Sequence, residues 1–407
     1  MFSLAYMILL RLCAKVIIWV TFIATVAFII IIGILLFSKS GSGEVDDGNK
    51  LTYKVFAIIC WSVALIILLI VFCICEDVQL GIAIIEAAAT FTFSNCVVIL
   101  VPIVMIIVTC SYIVYWLVCT LYIYSIGNIT QYGRTPFPSI EWESSTTNLW
   151  YYQLLALVWI VAFLLAIEQF TIAATTVQWY FSSSSDQGGT GSVCKSIWWA
   201  IRYHLGSLAF GSFIVTIVTL IRFIFEYMRK KVEKRGATNR FTKCLLACAS
   251  CCLKCIGQFV LWITKNAYVQ VAIRSVCFCS AARHAFRLVL RNVARFTIVN
   301  VFVGVFTLFG KLLVGLANAF LCWFILNNWT EMKENIYSPL MPTIGCFVIG
   351  YIVADVLLST YDLSAAAVLQ SFLIDEETDG VRGKNRPASL EGFISNLRQS
   401  TSGYEKI

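Results

Sequence analysis

Long apolar stretches separated by short polar ones set the pattern of this chain. Eight such runs cover residues 7–37, 53–75, 82–101, 103–126, 150–181, 201–227, 299–327 and 342–372, and each is near the length of about 20 residues that crosses a bilayer. The pattern predicts an all-α protein, a polytopic transmembrane helical bundle of about eight spans. Pro102 interrupts the run from 82 to 126 and is read as dividing it into two spans, because a proline inside a helix removes a backbone donor and clashes with the preceding turn. Arg11 and Lys15 break up the first run, and no small-residue cleavage site follows a short apolar core. The first run is therefore expected to stay as a span and not to leave as a signal peptide.

The polar breaks carry turn-forming residues. Residues 38–52 are rich in Gly, Ser and Asp, 127–149 contain Pro136 and Pro138, and 182–195 hold Ser182 to Ser185 with Gly188 and Gly189. The resulting division is 1–126 N-terminal spans, 127–149 a loop, 150–228 central spans, 229–298 a basic, Cys-rich cytosolic or membrane-surface segment, 299–372 a C-terminal helical hairpin, and 373–407 a cytosolic tail.

Composition agrees: 60% of residues are hydrophobic and 13% charged, which excludes a water-facing globule, while 12 Trp and 17 Tyr suit interfacial belts. The net charge of +8 collects between 229 and 295, beside the spans. Its expected partner is anionic membrane lipid and not nucleic acid. Arg229, Lys230, Lys231, Lys234, Arg235, Arg240 and Lys243 place that segment in the cytosol by the positive-inside rule. Two spans later the tail is inside too, leaving Asn328-Trp329-Thr330 outside as a glycosylation sequon. A second sequon, Asn128-Ile129-Thr130, falls inside on the same count. Either it is unused, or residues 241–298 hide another membrane-embedded segment.

Polar residues inside spans are costly and mark function by default. Glu168 lies in the middle of 150–181, and with Thr171 one turn on and Tyr152 earlier in the helix it could line a cavity; the alternative is a carboxylate that packs two helices. Lys311 and Asp355 are near the centres of their runs and would meet in an antiparallel hairpin. Asp362 and Tyr351 share the Asp355 face, with Asp362 freer to meet a cation or carry a proton. His204, at the mouth of 201–227, is read as a proton-linked gate or as a helix cap. Gly206, Ser207 and Gly211 permit close helix approach.

Two further features stand in 229–298. Cys244, Cys248, Cys251, Cys252 and Cys255 include two pairs with zinc-like gaps, but abutting pairs on one helix close a tetrahedral cage poorly, and juxtamembrane thiols equally fit palmitoylation. No metal is assigned. Arg283, Arg287, Arg291 and Arg295, four apart, form one helical stripe, expected to lie on the anionic leaflet.

The stretches Arg202-Tyr203-His204-Leu205-Gly206-Ser207-Leu208-Ala209, Asn266-Ala267-Tyr268 with Ala272-Ile273, and Phe278-Cys279 with Ser280-Ala281 resemble signatures of the choline transporter-like family. So do Trp150-Tyr151-Tyr152, Leu157-Val158-Trp159, Gln169 with Thr171, Gly310-Lys311-Leu312-Leu313 and Asp379-Gly380, in the same order along nearly the whole chain. The resemblance implies a polytopic carrier that takes up choline, in some members ethanolamine, without sodium, with proton exchange proposed. It implies a plasma-membrane location, with a mitochondrial membrane as a second, and delivery of choline to phospholipid synthesis. Family members also carry a further span and a large cysteine-containing extracellular domain ahead of the segment resembling residues 7–37. Ala366 stands where relatives usually have an acid, with Gln370 nearby, and Glu168-Gln169 replaces an expected Gln pair.

A choline carrier must hold a fixed cation whose methylated nitrogen donates no ordinary hydrogen bond, which aromatic faces do. An inward-negative potential supplies about 2.3 kcal/mol per charge per 100 mV, so a uniporter suffices to concentrate it. An enzyme is not expected: with His204 and His284 the only histidines, and no P-loop or nucleophile elbow, there is no base or metal cluster. No cofactor is expected either. The alternative class is a channel or lipid-anchored scaffold, compatible with the arginine stripe and the thiols.

Overall fold

The computed structural model describes residues 20, 23–24, 26–41, 47–73, 75–130, 139–182, 191–234, 240–328, 338–379, 387 and 390–391. Outside them lie residues 1–19, Pro136, Pro138, Ser183 to Ser185, Gly188, Gly189, Arg235, the Trp329-Thr330 part of the Asn328 sequon, Gly380 and most of the tail. The described helices are α1 (Val26–Gly41), α2 (Asp47–Cys73), α3 (Cys75–Ser94), α4 (Leu100–Ser125), α5 (Ser144–Ser182), α6 (Val193–Arg202), α7 (Leu205–Lys234), α8 (Arg240–Arg274), α9 (Phe278–Arg291), α10 (Val293–Asn328) and α11 (Leu340–Asp379). A two-stranded antiparallel ribbon, β1 (Asn128–Thr130) and β2 (Ser139–Glu141), sets Asn128 opposite Glu141. Among the described residues seven helices are long and apolar enough to cross a membrane, and α1 and the Gln79–Ser94 part of α3 are shorter apolar helices. The all-α, polytopic architecture of about eight spans holds.

The expected division at Pro102 is displaced. The helix breaks at Asn95, a 3-10 turn covers Cys96–Ile99, and Pro102 sits inside the first turn of α4. A proline is tolerated there because the first-turn N–H groups have no intrahelical acceptor to lose.

The chain forms two compact units. The first comprises Met1–Asn95, Trp179–Thr190 and Arg291–Ile407. Here α10 and α11 form the long hairpin, and α3 packs on both. Small residues make the hairpin close, since a Cβ at Gly315 of α10 would stand 2.9 Å from the Phe347 ring and one at Gly350 of α11 2.7 Å from the Asn318 amide, while the Tyr361 hydroxyl of α11 donates to the Ile85 carbonyl of α3 across 2.7 Å. Phe306 stacks near Tyr361, with centroids 6.0 Å apart, and Phe91 meets Trp179 edge-on at 5.5 Å.

The second unit comprises Cys96–Gln178 and Gly191–Leu290. Its core gathers Ala166, Phe170 and Ala174 of α5, Ala200 of α6, Leu208 of α7, Ala267, Tyr268 and Val271 of α8, and Phe278 and Ala281 of α9. Residues 166, 170 and 174 recur every four positions, which is the stripe a helix buries. Gly211 of α7 is where this core closes. A Cβ there would stand 2.6 Å from both Tyr268 Oη and Phe278 Cε2, whereas one at Gly206 would meet nothing within 4 Å.

Residues 229–298, expected to form a cytosolic or surface segment, contain a further candidate span. Phe241–Arg274 is long and apolar enough to cross, because Lys243, Lys254 and Lys265 are spread through an otherwise apolar helix. Four candidate spans, α5, α7, α8 and α10, then separate Asn128 from Asn328, so counting along the chain puts both sequons on one side. The basic turn 229–243 shares that side, against the expected orientation. Its charge bias is weakened by Arg229, which pairs with Glu226 and Glu233.

Two outcomes follow from this packing. Gly211→Ala should cost about 1–3 kcal/mol of stability by overpacking, read as a lower melting temperature of the purified protein, while Gly206→Ala leaves it unchanged; equal effects would refute the close approach. Removing Asn128 and Asn328 one at a time should abolish an endoglycosidase-sensitive gel shift at both sites or find none at either. A shift at only one of them would contradict the four-span count.

Candidate functional site

The chemistry-bearing residues of the second unit meet where α6 turns into α7 and α8 into α9. Helix α6 begins on Ser192, whose hydroxyl accepts from the Lys195 amide as an N-cap. It is tied to α5 by hydroxyls: Ser196 sits 2.9 Å from the Thr175 hydroxyl and accepts from the Gln178 amide at 2.7 Å. At its other end the Tyr203 and His204 amides both bond the Trp199 carbonyl, closing a tight turn into α7. Helix α8 ends on Ser275, whose backbone has φ 53. That left-handed value is uncommon outside glycine and costs about 1–3 kcal/mol; it turns the chain sharply so that Val276 and Cys277 face α6 and α7.

Between these turns opens a cavity of about 520 Å³ lined by Phe170, Trp199, Tyr203, His204, Ser207, Ala272, Ser275, Val276 and Cys277. Three of the lining residues carry a benzene, an indole and a phenol ring, and a fourth an imidazole. The His204 ring lies 5.1 Å from that of Phe170, and its burial holds the imidazole below the usual pKa of 6.5, so it is neutral at neutral pH. Behind the cavity Tyr268 donates to the Leu208 carbonyl at 3.4 Å and stacks on Phe278 at 5.7 Å. Trp159 reaches the Ala209 carbonyl at 3.4 Å. Stretches far apart in sequence, 159, 170, 199–209 and 267–281, thus build one chamber. Its walls suit a methylated cation, since aromatic faces attract positive charge. No acidic residue lines it.

The other sequence-derived candidates lie apart from this chamber. Glu168 is half-buried on α5 and does not line the cavity; Thr171 is fully buried and its hydroxyl bonds the Ile167 carbonyl at 2.8 Å. Tyr152 is 67% exposed. At about 1.5 Å of rise per residue, sixteen residues of helix separate Tyr152 from Glu168 by about 24 Å, so the three do not line one cavity. In the first unit Lys311 Nζ lies 2.6 Å from Asp355 Oδ1, with side chains 21% and 56% exposed. Tyr351 is half-buried beside Phe347, centroids 6.3 Å apart, and Asp362 is half-buried about three turns on along the same face. Asn328 ends α10, its side-chain amide bonded to the Phe324 carbonyl at 2.9 Å, and Asn128 opens β1.

Two expectations about the basic segment change. The apolar face of α9, Phe278, Ala281, Ala285 and Leu288, is buried in protein and not in lipid, and Arg291 and Arg295 pair with Glu377 at 3.5 Å and Glu376 at 2.6 Å. The five cysteines of α8 are all exposed. Ser250 and Gly257 turn toward Glu226 and Arg222 of α7, which leaves the thiols on the opposite face, strung along about 16 Å of helix. A single tetrahedral ion cannot be reached by such a row, and no metal-holding group occurs among the described residues. Sequence reasoning singled out His204 but missed Phe170, Trp199 and Tyr203 as a set. The signal for them was the paired aromatic and basic residues of Lys195-Ser196-Ile197-Trp198-Trp199 and Arg202-Tyr203-His204, readable only once the α8–α9 turn is known to face them.

Comparison with known proteins bears on what the chamber serves. Choline transporter-like protein 2 of Dictyostelium discoideum is 28% identical over 360 residues, 87% of this chain and 56% of the relative. Choline transporter-like protein 2 of Homo sapiens is 27% identical over 98% of this chain and 64% of its own length, and choline transporter-like protein 1 of Rattus norvegicus 26% identical over 98% and 62%. The chain thus spans somewhat less than two thirds of the relatives it matches. Residues 58–377 match the family described as plasma-membrane choline transporter, and the chain belongs to that family.

Proposed function

We propose that this chain is a multi-pass membrane carrier for choline, acting at the plasma membrane and supplying phospholipid synthesis, with ethanolamine as a poorer substrate. The observation that carries the reading is the aromatic chamber of Phe170, Trp199, Tyr203 and His204, whose lining residues Tyr203, His204, Ser207 and Ala272 fall in the stretches that carry the family resemblance. Trimethylammonium gains from ring faces without needing to donate a hydrogen bond, and each desolvated face contributes about 2 kcal/mol. Ethanolamine's primary ammonium, which is more strongly hydrated and needs acceptors, finds only the hydroxyls of Ser207 and Ser275. Sodium-independent uptake fits a monovalent cation driven by the potential, at about 2.3 kcal/mol per 100 mV. Glu168 in the second unit, and the Lys311–Asp355 pair with Asp362 in the first, lie outside the chamber lining. A channel or a scaffold remains the contrasting class, and saturation separates them.

Reconstituted into vesicles with an inside-negative potential, the protein should take up labelled choline saturably, and unlabelled choline in excess should block it. Trp199→Ala should raise the half-saturating concentration at least about tenfold, the equivalent of 1.4 kcal/mol, while Trp198→Ala, whose ring is exposed and outside the lining, leaves it unchanged. Linear uptake would indicate a channel, and none a scaffold.

The pH dependence has a definite sign. Lowered from 6.5 by burial, His204 is uncharged at neutral pH and gains its proton only in mild acid, where a second positive charge beside Phe170 repels the substrate. The charged groups on the adjoining elements nearest it in the chain are Lys195 and Arg202 of α6, Arg274 of α8, and the half-buried Glu168 of α5, two residues from Phe170. Choline uptake should be flat above pH 6.5, fall in the acid range below it, and lose that fall in His204→Gln. A fall that persists in the variant would assign the titration elsewhere.

A further inference from the structure

The chamber has aromatic walls and a cationic rim. Lys195 Nζ stands 4.9 Å from the Trp199 ring centroid and Arg202 Cζ 5.7 Å from that of Tyr203, so two of its aromatic walls carry a protein cation beside them. Among the described residues neither cation is in an ion pair, and residues 187–225 and 234–330 contain neither Asp nor Glu. A bare quaternary ammonium therefore finds ring faces but no counter-charge in the lining, and meets two like charges beside those rings.

The volume is also larger than choline requires. Choline has seven heavy atoms and glycerophosphocholine sixteen, and the cavity of about 520 Å³ leaves room for the larger of the two. A phosphodiester joined to trimethylammonium matches both halves of the site. The ammonium goes to Phe170, Trp199 and Tyr203, and the phosphate oxygens go to Arg202, whose guanidinium fork suits bidentate phosphate binding, and to the Lys195 ammonium. Ser207 and Ser275 hydroxyls complete the polar wall.

We propose that the chamber binds choline-headed phosphodiester zwitterions, and binds them more tightly than choline itself, through Arg202 and Lys195 at its rim. This rests on the reading that the aromatic walls hold trimethylammonium, and the test separates the two. The same chemistry has two sources, a soluble diester and the headgroup of a phosphatidylcholine in the surrounding membrane.

The experiment titrates the purified full chain, in detergent free of choline lipids, with glycerophosphocholine, choline and glycerol 3-phosphate by calorimetry. Glycerophosphocholine should bind at least about tenfold tighter than choline, and glycerol 3-phosphate, which lacks the ammonium, should bind weakest. The double variant Lys195→Gln, Arg202→Gln should lose the advantage of the diester while keeping or improving choline binding, which also shows that the variant is folded. Choline binding with no advantage for the diester, or an advantage that survives the double variant, overturns the proposal and leaves the choline reading standing. If neither compound binds, both readings fail. Repeating the titration in vesicles of phosphatidylglycerol and of phosphatidylcholine identifies the source: weaker diester binding in the phosphatidylcholine vesicles marks the lipid headgroup as occupant, and equal binding marks the soluble diester. Either result supports the proposal, and absence of diester binding in both vesicle types overturns it.

Discussion

A peptide group in hydrocarbon has no water to bond to, and this one constraint organises the molecule. Every backbone N–H and C=O must be satisfied within its own segment, so the spans are helices, and the same demand reaches the side chains. The hydroxyls of Thr92, Thr171, Thr176, Thr216 and Ser364 each bond a carbonyl four residues earlier on their own helix. That arrangement lets a buried hydroxyl sit at a helix interface without a second chain to receive it. Where hydroxyls do bond between helices, as Thr175 with Ser196, they fix the position of α6 against α5 and with it the aromatic chamber.

Charge follows the same rule with fewer solutions. A lysine and an aspartate near mid-span are tolerable as the Lys311–Asp355 pair, since an isolated charge there costs about 2.5–3.5 kcal/mol by insertion scales. Elsewhere the chain separates its signs: the acid-free stretch 234–330 contains α9, and its arginines reach acids only at the end of α11. The chamber inherits that imbalance: its walls are aromatic and the charges beside them cationic.

Much of the fold was readable because apolar length is a strong and local signal; the spans at 150–181, 201–227, 299–327 and 342–372 appear as α5, α7, α10 and α11. Residues 241–274 were read otherwise because their lysines and cysteines dilute the apolar run, and a helix buried partly against α7 does not need a uniformly apolar surface. Pro102 misplaced a boundary for a related reason: the sequence shows a helix-breaking residue but not whether it stands in the interior or in the first turn. The candidate site was legible only in part. His204 announced itself as a rare titratable residue at a span mouth. Phe170, Trp199 and Tyr203 are three among many aromatics, and what distinguishes them is the left-handed turn at Ser275, which nothing in a serine forecasts. Thr171 was grouped with Glu168 by helical face and Tyr152 by helix alone, and helical rise keeps Tyr152 far from the other two.

The Lys311–Asp355 pair also bears on how the protein is made. Lys311 emerges from the ribosome a whole helix before its partner, so α10 inserted alone would hold an unmatched ammonium near the bilayer centre until α11 arrives. Insertion of the two helices together as one hairpin avoids that interval. Neutralising Asp355 would thus burden the translocon as well as the finished fold, and the pair acts as a timing signal written into the order of synthesis.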